Sequence, residues 1–179
     1  MLGLKNRRPG EIRAAVEFDR LHPWFTWVRD YLRACAGSRK LPGRADIDPM
    51  CFRPNLNLVN LVDVVHEDGR VRFRFRLVGT TQTEMAEREI TGRFVEDAVL
   101  PAYVARINSN MRAVVENGMP VYDRFPMPHP EREFLDSERV YFPLASDGET
   151  VDMILIACAY PSMPEMAPKA AIDPLAGFG

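Results

Sequence analysis

The order of hydrophobic patterns predicts an α+β fold: a mainly antiparallel, five-stranded sheet with helices inserted between strands 2 and 3 and a further helix at the amino end. Three observations carry this. Val71, Phe73, Phe75 and Leu77 alternate with Arg70, Arg72, Arg74 and Arg76, the period-2 signature of a strand with one apolar face. Leu100, Tyr103, Val104, Ile107, Met111, Val114 and Val115 recur at helical spacing. Asp68-Gly69 and Ser146-Asp147-Gly148 are tight-turn signals, each between two strand-like runs, which makes those strands antiparallel neighbours.

The 179 residues suit one core with terminal extensions. We divide them into a flexible terminus at 1–10, a domain at 11–160 and a Pro-rich tail at 161–179, where Pro161, Pro164, Pro168 and Pro174 fall among small residues without a period. With 46% hydrophobic and 27% charged residues, enough apolar surface is available to offset the entropy lost on folding. A net charge of -2 with a pI near 6.0 argues against nucleic acid as the main partner. Cys35, Cys51 and Cys158 are far apart in sequence and odd in number, and no signal-like segment opens the chain, so free thiols and a cytoplasmic location are expected. The longest apolar run, Met153 to Ala159, is far short of the ~20 residues that span a bilayer, so no membrane partner is expected.

From Glu11 onward, Phe18, Leu21, Trp24, Phe25, Val28 and Leu32 mark one face of a helix that ends before Gly37. Pro23 either kinks it or begins a second helix. Leu41 to Pro49 is a turn-rich connector in which Asp48-Pro49 can cap a short helix. Leu56 to Val65 is apolar on both sides, as a central strand is, and is expected to neighbour Val151–Tyr160. After the arginine-rich strand, Thr81-Gln82-Thr83-Glu84 offers a capping box, and Asn117-Gly118 a left-handed stop for the long helix. Val121–Pro126, Arg139–Leu144 and Val151–Tyr160 complete the strands.

The segments Leu41-Pro42-Gly43-Arg44-Ala45-Asp46-Ile47-Asp48-Pro49, Arg74-Phe75-Arg76-Leu77-Val78-Gly79-Thr80-Thr81, Thr91-Gly92-Arg93 and Tyr141-Phe142-Pro143-Leu144, with Asp147-Gly148 and Val151-Asp152-Met153, resemble the bacterial PAS family of short, often stand-alone proteins. The resemblance runs from about Trp24 to Tyr160. It implies a PAS-like fold, in which a five-stranded antiparallel sheet cups a helical segment over an internal cavity. Between Thr81 and Thr91 the chain departs from the family's more apolar stretch, with Thr83-Glu84-Met85-Ala86-Glu87-Arg88-Glu89 there instead.

In that fold Phe73, Phe75, Leu77, Met85, Phe94, Tyr103, Ile107, Met111, Tyr122, Tyr141 and Met153 converge on the inner face of the sheet. They are the candidate lining for a small apolar or amphipathic ligand, with Tyr103, Tyr122 and Glu84 as its polar contacts. The cofactor is unknown. Heme is disfavoured, because no histidine lies between Met85 and Pro128, and a photoactive flavin because no cysteine lies in the helical middle; non-covalent FAD stays open. His22, His66 and His129 lie in separate regions and are read as surface or packing residues, and Glu84, Glu87 and Glu89 as a solvated helix face. No catalytic or metal motif is present, so the chain is not expected to be an enzyme. The arginine row is a solvated outer face or a contact with acidic residues of the amino-terminal helix such as Glu17 and Asp30.

Two functions follow. One is a sensory or regulatory module, expected to be a homodimer, that binds a small molecule and/or a signalling protein and passes its state on by non-covalent contacts. The other is a ligand-free interaction module that acts through the amino-terminal helix or the carboxy-terminal tail.

Overall fold

The computed structural model describes residues 16–126 and 136–160, with the side chains of Met85 and Ala86 excepted. The expected flexible terminus, Pro-rich tail and His129 therefore lie outside the described residues. Five strands, β1 (Val59–Glu67), β2 (Arg70–Leu77), β3 (Val121–Pro126), β4 (Asp136–Leu144) and β5 (Met153–Ala159), form one antiparallel sheet in the order β2-β1-β5-β4-β3. Between β2 and β3 come α2 (Thr80–Ala86), α3 (Val95–Ala98) and α4 (Pro101–Asn117), and α1 (Pro23–Ala36) precedes the sheet. This is the predicted α+β plan, with β1 and β5 adjacent as expected. No described helix is long and apolar enough to cross a membrane.

The sheet separates two layers of buried side chains, because successive strand residues point to opposite faces. On β5, Ile154, Ile156 and Cys158 join Ile107, Met111 and Val114 of α4 in an inner layer. Leu155, Ala157 and Ala159 join Trp24, Phe25, Val28, Tyr31 and Leu32 of α1 in an outer layer. The stripe predicted on the amino-terminal segment thus packs on the outside of this chain's own sheet. It is not one continuous helix: Phe18–Arg20 is a separate 3-10 turn, and α1 starts at Pro23. Proline at the first helical position loses no hydrogen bond, and His22 caps the start, its Nδ1 accepting from the Trp24 amide at 3.2 Å.

Three other local expectations need correction. Asn55–Leu58 is a 3-10 turn, so the first strand begins at Val59 rather than Leu56. Thr81 caps nothing: α2 starts at Thr80, the Gly79 carbonyl accepts from the Gln82 and Thr83 amides, and the Thr81 hydroxyl accepts from Asn57 Nδ2 at 2.6 Å. Of the two readings of the arginine row, the solvated outer face holds and the contact with acidic residues of α1 does not. Arg74 and Arg76 both reach Asp63 on β1, at 3.2 and 2.5 Å, and Arg72 reaches Glu67 and Glu96. Asp30 and Glu17 pair instead with their neighbours Arg29 and Arg20.

The turns behave as predicted. Asp68 and Gly69 both take positive φ, 49° and 69°, as a two-residue hairpin requires. Gly118 ends α4 with φ 60°, and its amide bonds to the Val114 carbonyl.

The connector from Leu41 to Pro49 is a clip. Leu41 N donates to the Gly148 carbonyl at 3.1 Å, and Ala145 N donates to the Pro42 carbonyl at 2.9 Å, which ties the connector to the β4–β5 turn. The Asp46 carboxylate closes the clip, accepting from Gly43 N at 2.7 Å and from Arg39 at 2.5 Å. The Arg39 bond first, then the Gly43 amide, hold this carboxyl below the usual aspartate range. A depressed folded-state pKa stabilises the fold above the unfolded value near 4 and stops doing so as pH falls through the folded value. Asp46→Asn is therefore expected to cost about 1 kcal/mol at pH 7, a charged hydrogen bond discounted for partial exposure. Urea titrations should show the gap from wild type closing below pH ~4; a gap that is constant down to pH 3 would contradict the assignment.

Candidate functional site

The inner layer is where the sequence places the candidate lining, and six of those residues meet there. Phe73 and Phe75 on β2, Ile107 and Met111 on α4, and Tyr141 on β4 are buried in one cluster, with Tyr103 half-buried against it. Met111 is fully buried. Tyr103 stacks on Phe125 with centroids 5.7 Å apart.

Four others lie elsewhere, each for a definable reason. A β-bulge in the β1–β2 pairing sets Leu77 opposite Leu61 and Phe75 opposite Val62, so Leu77 turns to the outer side and is 41% exposed. Phe94 bridges Arg74 and therefore shares the arginine face, with the Arg72 guanidinium 3.6 Å from its ring centroid. Tyr122 and Met153 point outward, because each neighbours an inward residue, Val121 and Ile154. Tyr122 donates to Glu138 at 2.7 Å, and burial followed by this bond pushes its hydroxyl up. Glu84 is exposed, and the Met85 side chain lies outside the described residues.

What the sequence reading missed is that the inner layer has a polar side. Asn60 on β1, Gln82 on α2, Arg139 on β4, Cys158 on β5 and Tyr160 just beyond it are all buried. Gln82 Nε2 and Asn60 Nδ2 donate to the Cys158 sulfur at 3.1 and 3.6 Å. The Asn60 carbonyl oxygen accepts from Gly79 N at 2.9 Å, which ties this group to the start of α2. Arg139 pairs with Cys158 across the β4–β5 ladder, is 6% exposed, and lays its guanidinium 4.0 Å from the Phe125 centroid. Arg106 approaches the same ring at 5.0 Å while making two bonds to Asp123, so α4 is pinned to β3 beside the polar group.

Electrostatics follow burial. Desolvation pushes the Tyr141 hydroxyl up to about 12 and raises the Cys158 thiol and the Tyr160 hydroxyl, and the positive charge of Arg139 opposes all three shifts. These groups are thus neutral donors and acceptors at physiological pH, with one buried cation among them. The Tyr160 hydroxyl, in a residue that is 3% exposed, has the Gln82 side chain in reach but makes no well-formed hydrogen bond among the described residues. Such an arrangement can orient a polar molecule by hydrogen bonds. Among the described residues, no cluster of three or more His, Cys, Asp or Glu is placed to hold a metal ion.

Two of the family-like segments serve the frame of this site. Leu41 to Pro49 is the clip described above. In Val78-Gly79-Thr80, Gly79 passes so close to Asn57 and Val59 that a Cβ there would come to 2.7 Å from the Asn57 carbonyl carbon and 3.0 Å from the Val59 oxygen. Only glycine allows that approach, and through it α2 is held against the Asn55–Leu58 turn.

No curated protein matches the chain. A family model described as PAS domain matches residues 21–158, from the residue after the first 3-10 turn to the buried cysteine of β5. That span contains the sheet save Ala159, the inner layer save Tyr160, and the clip, and the chain belongs to the PAS domain family.

Proposed function

We propose that this PAS domain is a sensory or regulatory module that acts by binding and not by catalysis, and that it holds a small molecule against the polar side of its inner layer. Membership of the family supports the sensory role in general. The observation that carries the ligand is the buried Tyr160 hydroxyl beside Arg139, Gln82 and Cys158. A buried hydroxyl whose hydrogen bond is poorly made loses up to about 1–3 kcal/mol, and a molecule that accepts a good bond from it recovers that loss. The ligand on this reading is amphipathic, with its polar end toward Arg139 and Tyr160 and its apolar end toward Phe73, Phe75 and Met111.

The response would pass through β5. Cys158 and Tyr160 face the site, while Ala157 and Ala159, between and beside them, support α1 on the other face. A shift of the strand on binding would therefore move α1, and a signalling protein or a second copy of the chain would read that movement on the exposed side of the helix. The apolar stripe of α1 is already covered by the sheet, so the helix would not dock through that stripe while it stays folded on the domain.

Native mass spectrometry of the freshly purified chain should retain a small molecule of defined mass, and Tyr160→Phe should lower its occupancy at least tenfold. A filled core with no ligand gives the opposite result. The wild type would carry nothing, Tyr160→Phe would melt higher than wild type because an unsatisfied hydroxyl is gone, and the interaction-module reading would replace this one.

A further inference from the structure

Cys35 and Cys51, distant in sequence, are brought to the same place. Cys35 lies in the last turns of α1 and Cys51 in the 3-10 turn Pro49–Phe52; both are half-buried against the outer layer. Tyr31 joins them. It precedes Cys35 by one helical turn, so the two side chains share a face of α1. Its hydroxyl accepts from the Asp48 amide at 2.9 Å and donates to the Asp48 carbonyl at 3.3 Å. That carbonyl also accepts from the Cys51 amide at 3.2 Å, and the Cys51 thiol lies 3.9 Å from the Asp48 carboxylate. Both thiols are in hydrogen-bonding reach of the Tyr31 hydroxyl, so two sulfurs flank one oxygen. Cys158 is in the other layer, fully buried beneath the sheet.

We infer that Cys35 and Cys51 are a redox-modified dithiol, joined on oxidation by an intrachain disulfide that fastens the end of α1 to the Pro49–Phe52 turn. With a hydroperoxide as the oxidant, the Cys51 thiolate attacks the terminal peroxide oxygen. The O–O bond breaks, the leaving oxygen takes up a proton and departs as water or an alcohol, and Cys51 becomes a sulfenic acid. The Cys35 thiolate then attacks that sulfur, the S–O bond breaks and water leaves. Two thiols lose two electrons and two protons in all, and the peroxide is reduced by the same two electrons. This order suits the surroundings: burial raises the Cys35 thiol, so it acts second, on the more electrophilic sulfenyl sulfur.

The inference stands apart from ligand binding, since it concerns the opposite face of the sheet. The full-length chain, freed of reductant, is treated with hydrogen peroxide while folded, quenched with iodoacetamide and mapped by peptide mass spectrometry. The expected result is a linked pair of peptides, one with Cys35 and one with Cys51, lighter by two hydrogens than the free pair, while Cys158 is alkylated only after unfolding. Cys35→Ser, which lacks the second sulfur, should leave Cys51 as a sulfenic acid that dimedone traps, whereas in the wild type the trapped adduct should be at least tenfold less. The proposal is overturned if peroxide leaves both cysteines alkylated as before, oxidises one singly to a sulfinic acid, or links either to Cys158 or to another chain. Mapping the wild type decides the matter even where a serine variant folds poorly.

Discussion

Gly79→Ala, at the N-cap of α2, is expected to destabilise the domain by about 2–3 kcal/mol. The added methyl would enter the space of the Asn57 carbonyl group and the Val59 oxygen, both backbone atoms that cannot rotate aside. Overpacking of this kind forces backbone movement, and a gain of about 0.4–1 kcal/mol from a less flexible unfolded chain offsets only part of it. The Gly79 amide bond to Asn60 would be displaced with it, and through Asn60 the contact with Cys158. Chemical denaturation should show a lower midpoint with an unchanged slope. A variant as stable as wild type would mean that Gly79 is conformationally free and that the close approach is not a constraint on the fold.

Phe25→Ala should cost about 3–5 kcal/mol, the range for removing a fully buried aromatic side chain without refilling its space. Phe25 is 0% exposed between α1 and the outer face of the sheet, so the loss measures how firmly the amino-terminal helix belongs to the domain. Arg20→Ala, which removes a surface ion pair with Glu17, should stay within about 0.5 kcal/mol. If Phe25→Ala were equally mild, α1 would be a loosely attached arm and the route from β5 to α1 would fail with it.

The sheet was legible in the sequence because its local signals agree: alternation along Val71 to Leu77, two-sided apolarity in the two central strands, and turn residues at Asp68-Gly69 and Asp147-Gly148. The family-like segments pointed to the same plan. Facing was less legible. Leu77 reads as inward by parity, and only the bulge, which is a property of pairing and not of local sequence, reverses it. Met153 begins an unbroken apolar run, Met153 to Ala159, in which no alternation says which residues face inward. The same silence hid Cys158. Arg139 could have been found, since it stands two residues before Tyr141 and a period of two carries it to the same face. A charged residue on an inward face is the signal that an emphasis on apolar lining passed over. Gln82 and Asn60 gave no such signal, because their burial follows from where α2 and the Asn55–Leu58 turn meet. The pairing of Cys35 with Cys51 depends on Tyr31 reaching Asp48, a contact that sequence spacing does not foretell.

The strand order has a consequence for how the molecule is made. β5 is the last of the described strands in sequence, yet it lies between β1 and β4. During synthesis the β1–β2 hairpin and the β3–β4 pair can each form early, but they have no shared edge until the residues near Met153–Ala159 have left the ribosome. Up to then two open sheet edges and the apolar surfaces meant for both layers face solvent together, a state open to aggregation. The domain therefore acquires its fold only when β5 zips the two halves together, and a chain that lacked that strand would present two half-sheets and no domain.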